Sequence, residues 1–324
     1  MALTPLPRTR LAVLPTPLQP APALAAALGL PGPLLVKRDD LTGFALGGNK
    51  VRQLELLLGQ ARAQSADVVV TGGAVGSNFV TAAAVAAQHA GLRNVVVIAG
   101  RAVPARSHPN LAAALAWGAQ PRWTDDPERA SIDALLPVVA AELAAAGARP
   151  YLIPRGGANA TGAAGFRLAF DELCEQLDGR QVPGPTLVVA AGSGGTLAGL
   201  VAGNVARGRP LTVVGDSVSR PPEQLAPAVL AISRELARVA GDAAPEPEDV
   251  HLVDGRGPGH GVASAAGTAA AAKALRSAGL VLDPVYTAKA LAALPAVVGT
   301  GPAVFWHTGG VLDAVAELLT EELR

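Results

Sequence analysis

The chain has 324 residues, half of them hydrophobic, with a formal net charge of zero and a pI near 7.0. That length accommodates two domains or one large α/β domain, and the neutral charge balance argues against a nucleic-acid or acidic-membrane partner. A single cysteine, Cys174, excludes an internal disulfide and fits a reducing, cytoplasmic setting; its helical surroundings mark it as a buried structural thiol. The segment Met1 to Pro20 mixes prolines with arginines and lacks the apolar core of a signal peptide, and the longest apolar runs fall short of a membrane span.

The first informative stretch is Gly47-Gly48-Asn49-Lys50, opening a helix that begins Val51-Arg52-Gln53-Leu54. Only four of the 26 basic residues are lysine (Lys37, Lys50, Lys273 and Lys289). A primary amine differs from a guanidinium in being able to lose its proton and condense with a carbonyl to a Schiff base. At Lys50 the glycines permit close approach of a ligand, Asn49 is placed to cap the helix, and the helix turns its positive end toward the site.

After residue 50, strand and helix alternate. Apolar, β-branched strands are expected at Asp67–Thr71, Asn94–Ala99 and near Arg122–Thr124, then at Tyr151–Pro154, Thr186–Ala190, Leu211–Val214, His251–Val253 and Ala303–Trp306. Helices fill the intervals, including Ser77 to His89, a helix opened by Pro109, and an Ala-rich helix ending near Ala148. Uninterrupted apolar strands separated by helices predict parallel sheet buried on both faces.

Two Gly-rich turns lie between a strand and a helix. Ala191-Gly192-Ser193-Gly194-Gly195-Thr196 offers backbone N–H groups, a helix N-terminus and two hydroxyls, the elements of a phosphate cradle. It is not a dinucleotide fingerprint, whose third glycine would fall on Leu197, nor a nucleophile elbow, since Ala191 stands two before Ser193. Lys50 is followed by Val51, which rules out a nucleoside-triphosphate loop. The second turn, Gly72 to Phe79, places Ser77 as a helix N-cap beside N–H groups suited to a substrate carboxylate. The histidines and Cys174 have no metal-ligand spacing. A Schiff-base lysine, a separate phosphate cradle and no nucleotide motif together indicate pyridoxal 5'-phosphate as cofactor.

Several motifs then appear in order: Lys37-Arg38-Asp39-Asp40-Leu41-Thr42-Gly43, Gly47 to Lys50, Gly76-Ser77-Asn78, Ile153-Pro154-Arg155-Gly156-Gly157 and Gly192 to Thr196. Gly257-Pro258-Gly259-His260-Gly261, Asp283-Pro284-Val285-Tyr286-Thr287 and His307-Thr308-Gly309-Gly310 follow. From about residue 12 to the end, the chain resembles the family of D-cysteine desulfhydrase and 1-aminocyclopropane-1-carboxylate deaminase. The resemblance implies an α/β protein of two open twisted sheets, the pyridoxal-phosphate fold type II of the tryptophan synthase β-subunit, usually a homodimer. Its larger domain would comprise 1–47 and 157–324, and its smaller one 48–156.

By that resemblance Lys50 holds the cofactor as a Schiff base, Asn78 contacts the ring hydroxyl, and Gly192, Ser193, Gly194, Gly195 and Thr196 hold the phosphate. Ser77 lies by the substrate carboxylate and α-carbon, Tyr286 lines the substrate side, and Thr287 faces the pyridine nitrogen. The deaminase branch has Glu at that last position, so Thr287 points to β-elimination from a small amino acid with a good leaving group. Ring opening, β-replacement, racemisation and non-catalytic cofactor binding are the alternatives. Three places depart from the family pattern: His260 replaces a tyrosine and is expected to titrate near neutrality as a proton donor, Gly76 and Phe79 replace a glutamine and a histidine beside the substrate, and Gln53 replaces a phosphate-facing lysine.

Overall fold

The computed structural model describes residues 6–322, so Met1 to Pro5 of the proline-rich segment lie outside it, as do residues 323–324. Strands are numbered β1 (Leu18–Pro20), β2 (Leu34–Arg38), β3 (Val68–Gly73), β4 (Arg93–Ile98), β5 (Ala119–Trp123), β6 (Pro150–Leu152), β7 (Thr186–Ala191), β8 (Thr212–Ser217), β9 (His251–Asp254) and β10 (Ala303–His307). They form a six-stranded sheet in the order β1-β2-β10-β7-β8-β9 and a four-stranded sheet in the order β5-β4-β3-β6. All pairings are parallel except β1 with β2, which is antiparallel and caps one edge.

Alternation along the strands supplies both faces of each sheet, as expected for parallel sheet covered by helices. In the larger sheet, Leu187, Val189, Val304 and Trp306 enter one core, while Val188, Ala190, Ala303 and Phe305 enter the other. In the smaller sheet, Val69 faces one way and Val68 and Val70 the other. Among the described residues, no helix is long and apolar enough to cross a membrane.

The strands β1 and β2 depart from the sequence expectation, which placed strands only after residue 50. Three residues ending in proline make a weak signal for an edge strand. In β2, Lys37 and Arg38 break the apolar run. Lys37 is nevertheless fully buried, because its ammonium donates to Glu172, to Gln176 Oε1 at 2.7 Å and to the Thr16 carbonyl at 2.8 Å.

Helix Lys50–Ala63 lies between the two cores. Leu56 packs in the core formed with helix Ala160–Asp178, while Leu54, Leu57 and Leu58 pack with Val69, Phe79 and Tyr151 under the smaller sheet. Its remaining flank carries Arg52, which bonds both oxygens of Asp39 at 2.8 and 2.9 Å and both of Glu172 at 2.9 and 3.0 Å. Trp306 Nε1 of β10 also donates to Asp39, at 2.8 Å, and Thr16 Oγ1 does so at 2.8 Å. Burial alone would raise the Glu172 carboxyl, but the hydrogen bonds and charge of Arg52 and Lys37 outweigh it and hold it at about 2.

Removing one member of such a network leaves an uncompensated buried charge. Asp39→Ala should lower stability by about 3–5 kcal/mol in urea unfolding; a loss under about 1 kcal/mol would show that Arg52 re-pairs freely. Because the Glu172 value is depressed, its contribution is present above the unfolded carboxyl value and is lost as pH falls toward 2. Glu172→Gln should flatten that acid limb.

Candidate active site

A cavity of about 760 Å³ opens at the carboxyl ends of the strands of both sheets, the usual ligand position in open α/β folds. Its wall includes Lys50, Ser77, Asn78, Phe79, Gly192, Ser193, Gly194, Thr196, His260 and Tyr286, so most residues selected from sequence converge there. Gly195 and Thr287 are behind the wall rather than on it.

Lys50 is the first residue of its helix, and burial brings its amine down to about 8, with Asp283 partly opposing the shift. The other lysines are differently placed. Lys37 is spent in the ion network, Lys289 donates to the carbonyls of Arg256 and Gly259 at 2.8 and 3.0 Å, and Lys273 is exposed. Rarity of lysine therefore did not by itself identify a reactive amine, since Lys37 is structural.

Two expectations about this turn are corrected. The Asn49 side chain does not cap the helix; its Nδ2 donates to Thr196 Oγ1 at 3.1 Å, tying the Lys50 turn to the second Gly-rich loop. Gly48 is required for its left-handed backbone (φ 55°) and because an added Cβ would lie 2.3 Å from the Thr308 carbonyl, so the close approach is to backbone and not to a ligand.

The loop Gly192 to Thr196 leads from β7 into helix Gly195–Ala206, whose first-turn N–H groups have no intrahelical partner. Gly194 has φ 99°, and its added Cβ would point at Val229 and Leu225, away from the cavity; the glycine serves the turn rather than clearance for an anion. Next to Gly195, Gln53 is fully buried with both its amide nitrogen and oxygen lacking a hydrogen-bond partner. Its Nε2 would lie 3.3 Å from a Cβ at Gly195. An orphaned amide beside a helix N-terminus is what a site for a bound oxyanion leaves exposed, so these residues fit the phosphate of pyridoxal phosphate.

Ser77 Oγ accepts from Val80 N at 3.3 Å, the expected N-cap of helix Asn78–His89. Asn78 Nδ2 donates to Asp313 Oδ2 at 3.2 Å, and Asn110 Nδ2 to Asp313 Oδ1 at 2.7 Å. Asp313 also lines the cavity, and burial with repulsion from Asp283 raises its carboxyl to about 7. Phe79 borders the cavity, but its ring is 2 % exposed and packs with Leu54 and Leu57, which makes it mainly core.

Tyr286 and His260 form one wall, with Tyr286 Oη 3.5 Å from His260 Nε2. His260 does not titrate near neutrality as expected. Burial first, then the positive Arg129, Lys289 and Arg155, lower it to about 4, so at neutral pH it is an uncharged imidazole. Thr287 Oγ1 donates to Asp283 Oδ1 at 2.6 Å, and Asp283 also accepts from the N–H groups of Val285, Tyr286 and Thr287. Sequence reasoning missed Asp283, Asp313, His108 and Arg129 as wall residues; no spacing rule connects them, because they come from four separate segments.

An amine at about 8 is neutral at pH 7 roughly a hundredfold more often than a lysine of ordinary pKa. Reductive methylation at pH 7 with peptide mapping should therefore label Lys50 ahead of exposed Lys273; equal or slower labelling would contradict the shift. Gln53→Leu should raise stability in phosphate-free buffer by about 1 kcal/mol, since an unsatisfied buried amide is removed. It should also reduce the stabilisation given by added inorganic phosphate, and an unchanged phosphate effect would separate Gln53 from the anion site.

The comparisons agree with this geometry. A family model described as pyridoxal-phosphate dependent enzyme matches residues 9–309. D-cysteine desulfhydrase of Salmonella paratyphi B is 36 % identical over 325 aligned positions, covering 95 % of each chain, and that of Salmonella newport is similar to the same degree. A crystal structure of an ACC deaminase homologue superimposes with a TM-score of 0.89 at 33 % identity, over 98 % of this chain and 96 % of that one. A Thermus threonine deaminase shares the fold alone, at TM-score 0.64 and 20 % identity over 91 % of this chain and 92 % of that one. With a lysine amine, an oxyanion cradle and nearly full-length similarity on the same residues, the chain belongs to the pyridoxal-phosphate dependent enzymes.

Proposed function

We propose that this enzyme is a lyase that removes the β-substituent and the amino group of a small amino acid, in the manner of a D-cysteine desulfhydrase. The observation that carries the reading is Lys50: a buried amine near 8, opening on the same cavity as the Gly192 to Thr196 loop. The name and 36 % identity of the Salmonella relatives support the reaction class. The two sheets are taken as two domains, 48–156 and the remainder, with the cavity between them. A homodimer and a cytoplasmic location complete the proposal, on the family resemblance and the buried, inert Cys174, whose thiol burial raises to about 11.

Pyridoxal phosphate, when bound, supplies the electron sink that lets the bond from the α-carbon to its hydrogen break. Lys50 anchors it covalently and, released from that bond, takes the α-proton at Nζ; an amine near 8 is matched to that task. Ser77 and the N-terminus of its helix hold the substrate carboxylate. Gln53, Ser193, Thr196 and the first-turn N–H groups hold the phosphate, while Asn78 faces the ring hydroxyl. Overall, the α-proton and the β-group leave as HX, and one water then gives a keto acid and ammonium.

Thr287 separates two readings. Its hydroxyl is committed to Asp283 in a fully buried position, so no carboxylate at residue 287 protonates the ring nitrogen. That favours elimination of a good leaving group over opening of a cyclopropane. The second reading, ring-opening deamination, keeps support from the 0.89 TM-score with the ACC deaminase homologue.

Borohydride reduction of the loaded enzyme should place the cofactor on Lys50, and Lys50→Arg should abolish both its visible absorbance and turnover. A label on Lys273 or Lys289 would refute the assignment. In a panel of D- and L-amino acids, β-chloroalanine or cysteine should yield keto acid and ammonia, whereas 1-aminocyclopropane-1-carboxylate should not. Efficient ring opening would move the assignment to the deaminase branch, and cofactor binding without turnover of any member would favour a non-catalytic binder.

A further inference from the structure

One cation of the cavity has no anion. Arg129 begins helix Arg129–Ala145 of the smaller sheet's half and reaches across to His260, with Nη2 3.2 Å from His260 Nε2. Its Nε is fully buried without a hydrogen-bond partner, and no ion pair to it forms among the described residues. Elsewhere the chain pairs its buried arginines: Arg52 with Asp39 and Glu172, Arg167 with Asp171 and Asp242. Around Arg129 the charges are mostly of like sign, from Arg155 and Arg220, and the one nearby carboxylate, Asp133, is bonded to Arg155 at 2.8 and 3.2 Å.

Leaving a desolvated guanidinium unpaired is costly, and in a ligand cavity the missing partner is naturally the ligand. Two anions of the loaded site already have places in the proposed function. The cofactor phosphate belongs to the loop that begins at Gly192, and the substrate carboxylate to the Ser77 helix. Arg129 is reached from that loop through Tyr286, whose ring would lie 3.1 Å from a Cβ at Gly192, and then through His260. Both side chains form the substrate wall. His260, uncharged at neutral pH, accepts from Arg129 and does not offset a further negative charge.

We propose that the substrate's β-substituent carries an oxyanion, a carboxylate or a sulfonate, and that Arg129 binds it, with Arg155 adding to the positive field. The assignment rests on the lyase reading for the identity of the substrate, but the pocket's preference for a second anionic group stands on the arginine alone.

Calorimetric titration of the holoenzyme with unreactive acids at fixed ionic strength tests it. Succinate and 3-sulfopropionate should each bind about tenfold or more tightly than propionate, the range expected of a hydrogen bond to a charged group. Arg129→Gln should remove that preference while moving propionate affinity little, and Arg129→Lys should retain part of it. Equal affinities for the mono- and dianions in the unmodified enzyme would overturn the proposal, as would a preference that survives Arg129→Gln. The two readings fail separately. Turnover of β-chloroalanine without any dianion preference would sink this inference and leave the lyase, whereas dianion-selective binding without keto acid from the whole panel would do the reverse.

Discussion

The salt-bridged guanidinium of Arg52 determines where the reactive amine sits. Arg52 is two residues beyond Lys50 on a helix lodged between both hydrophobic cores, and it ties that helix to Asp39 after β2 and to Glu172 on helix Ala160–Asp178. Trp306 of β10 and Thr16 of the N-terminal segment complete the ring around Asp39. Apolar packing alone would permit a helix such as this to slide or rotate at small cost. A buried ion network does not, because any other register strands a charge in low dielectric. Such networks add little net stability compared with apolar replacements, so their effect here is to fix one seating for the helix. The position of Lys50 at the cavity follows from that seating.

Polar groups on the two sides of this helix are treated differently. Behind it, Lys37, Arg52, Asp39 and Glu172 have matched partners. In front, the amine of Lys50 is held near 8, the Asp313 carboxyl near 7 and the His260 imidazole near 4. Arg129 and the Gln53 amide lack partners altogether. Desolvation shifts each of these groups toward its neutral form or leaves it unsatisfied, and they surround a single cavity. Incomplete satisfaction of this kind concentrates where ligands complete the hydrogen bonding. The same contrast explains why only one buried lysine is reactive: Lys37 is as buried as any residue in the chain, yet three acceptors hold its ammonium in place.

Much of the fold and site was legible in the sequence wherever the governing physics is local. β-Branched runs gave the central strands, since their side chains suit a pleated, doubly buried surface. Ser77 was readable as an N-cap because capping involves only the next three residues. The Gly192 to Thr196 turn was readable for the same reason, and so was Lys50 at a helix start. Even there the local rule was incomplete: Asn49 has a capping residue's identity but bonds Thr196, and the glycine at 194 answers to Val229 and Leu225 on another helix.

The remainder depended on partners far along the chain. β2 was hidden because its lysine and arginine read as solvated until Glu172 and Asp40 are brought beside them. His260 keeps an ordinary residue's appearance in sequence, and only its burial among Arg129, Lys289 and Arg155 makes it a neutral imidazole. The link from Asn78 to Asp313 spans 235 residues, and that from Asp39 to Trp306 spans 267. Backbone sterics, capping and side-chain periodicity act over one or two turns, so the sequence by itself determined the elements, the cradle and the amine. Electrostatics and desolvation act between whichever groups the fold makes neighbours. Only the tertiary structure therefore decided which charges are paired, which protons are held at neutral pH, and which arginine is left facing the cavity.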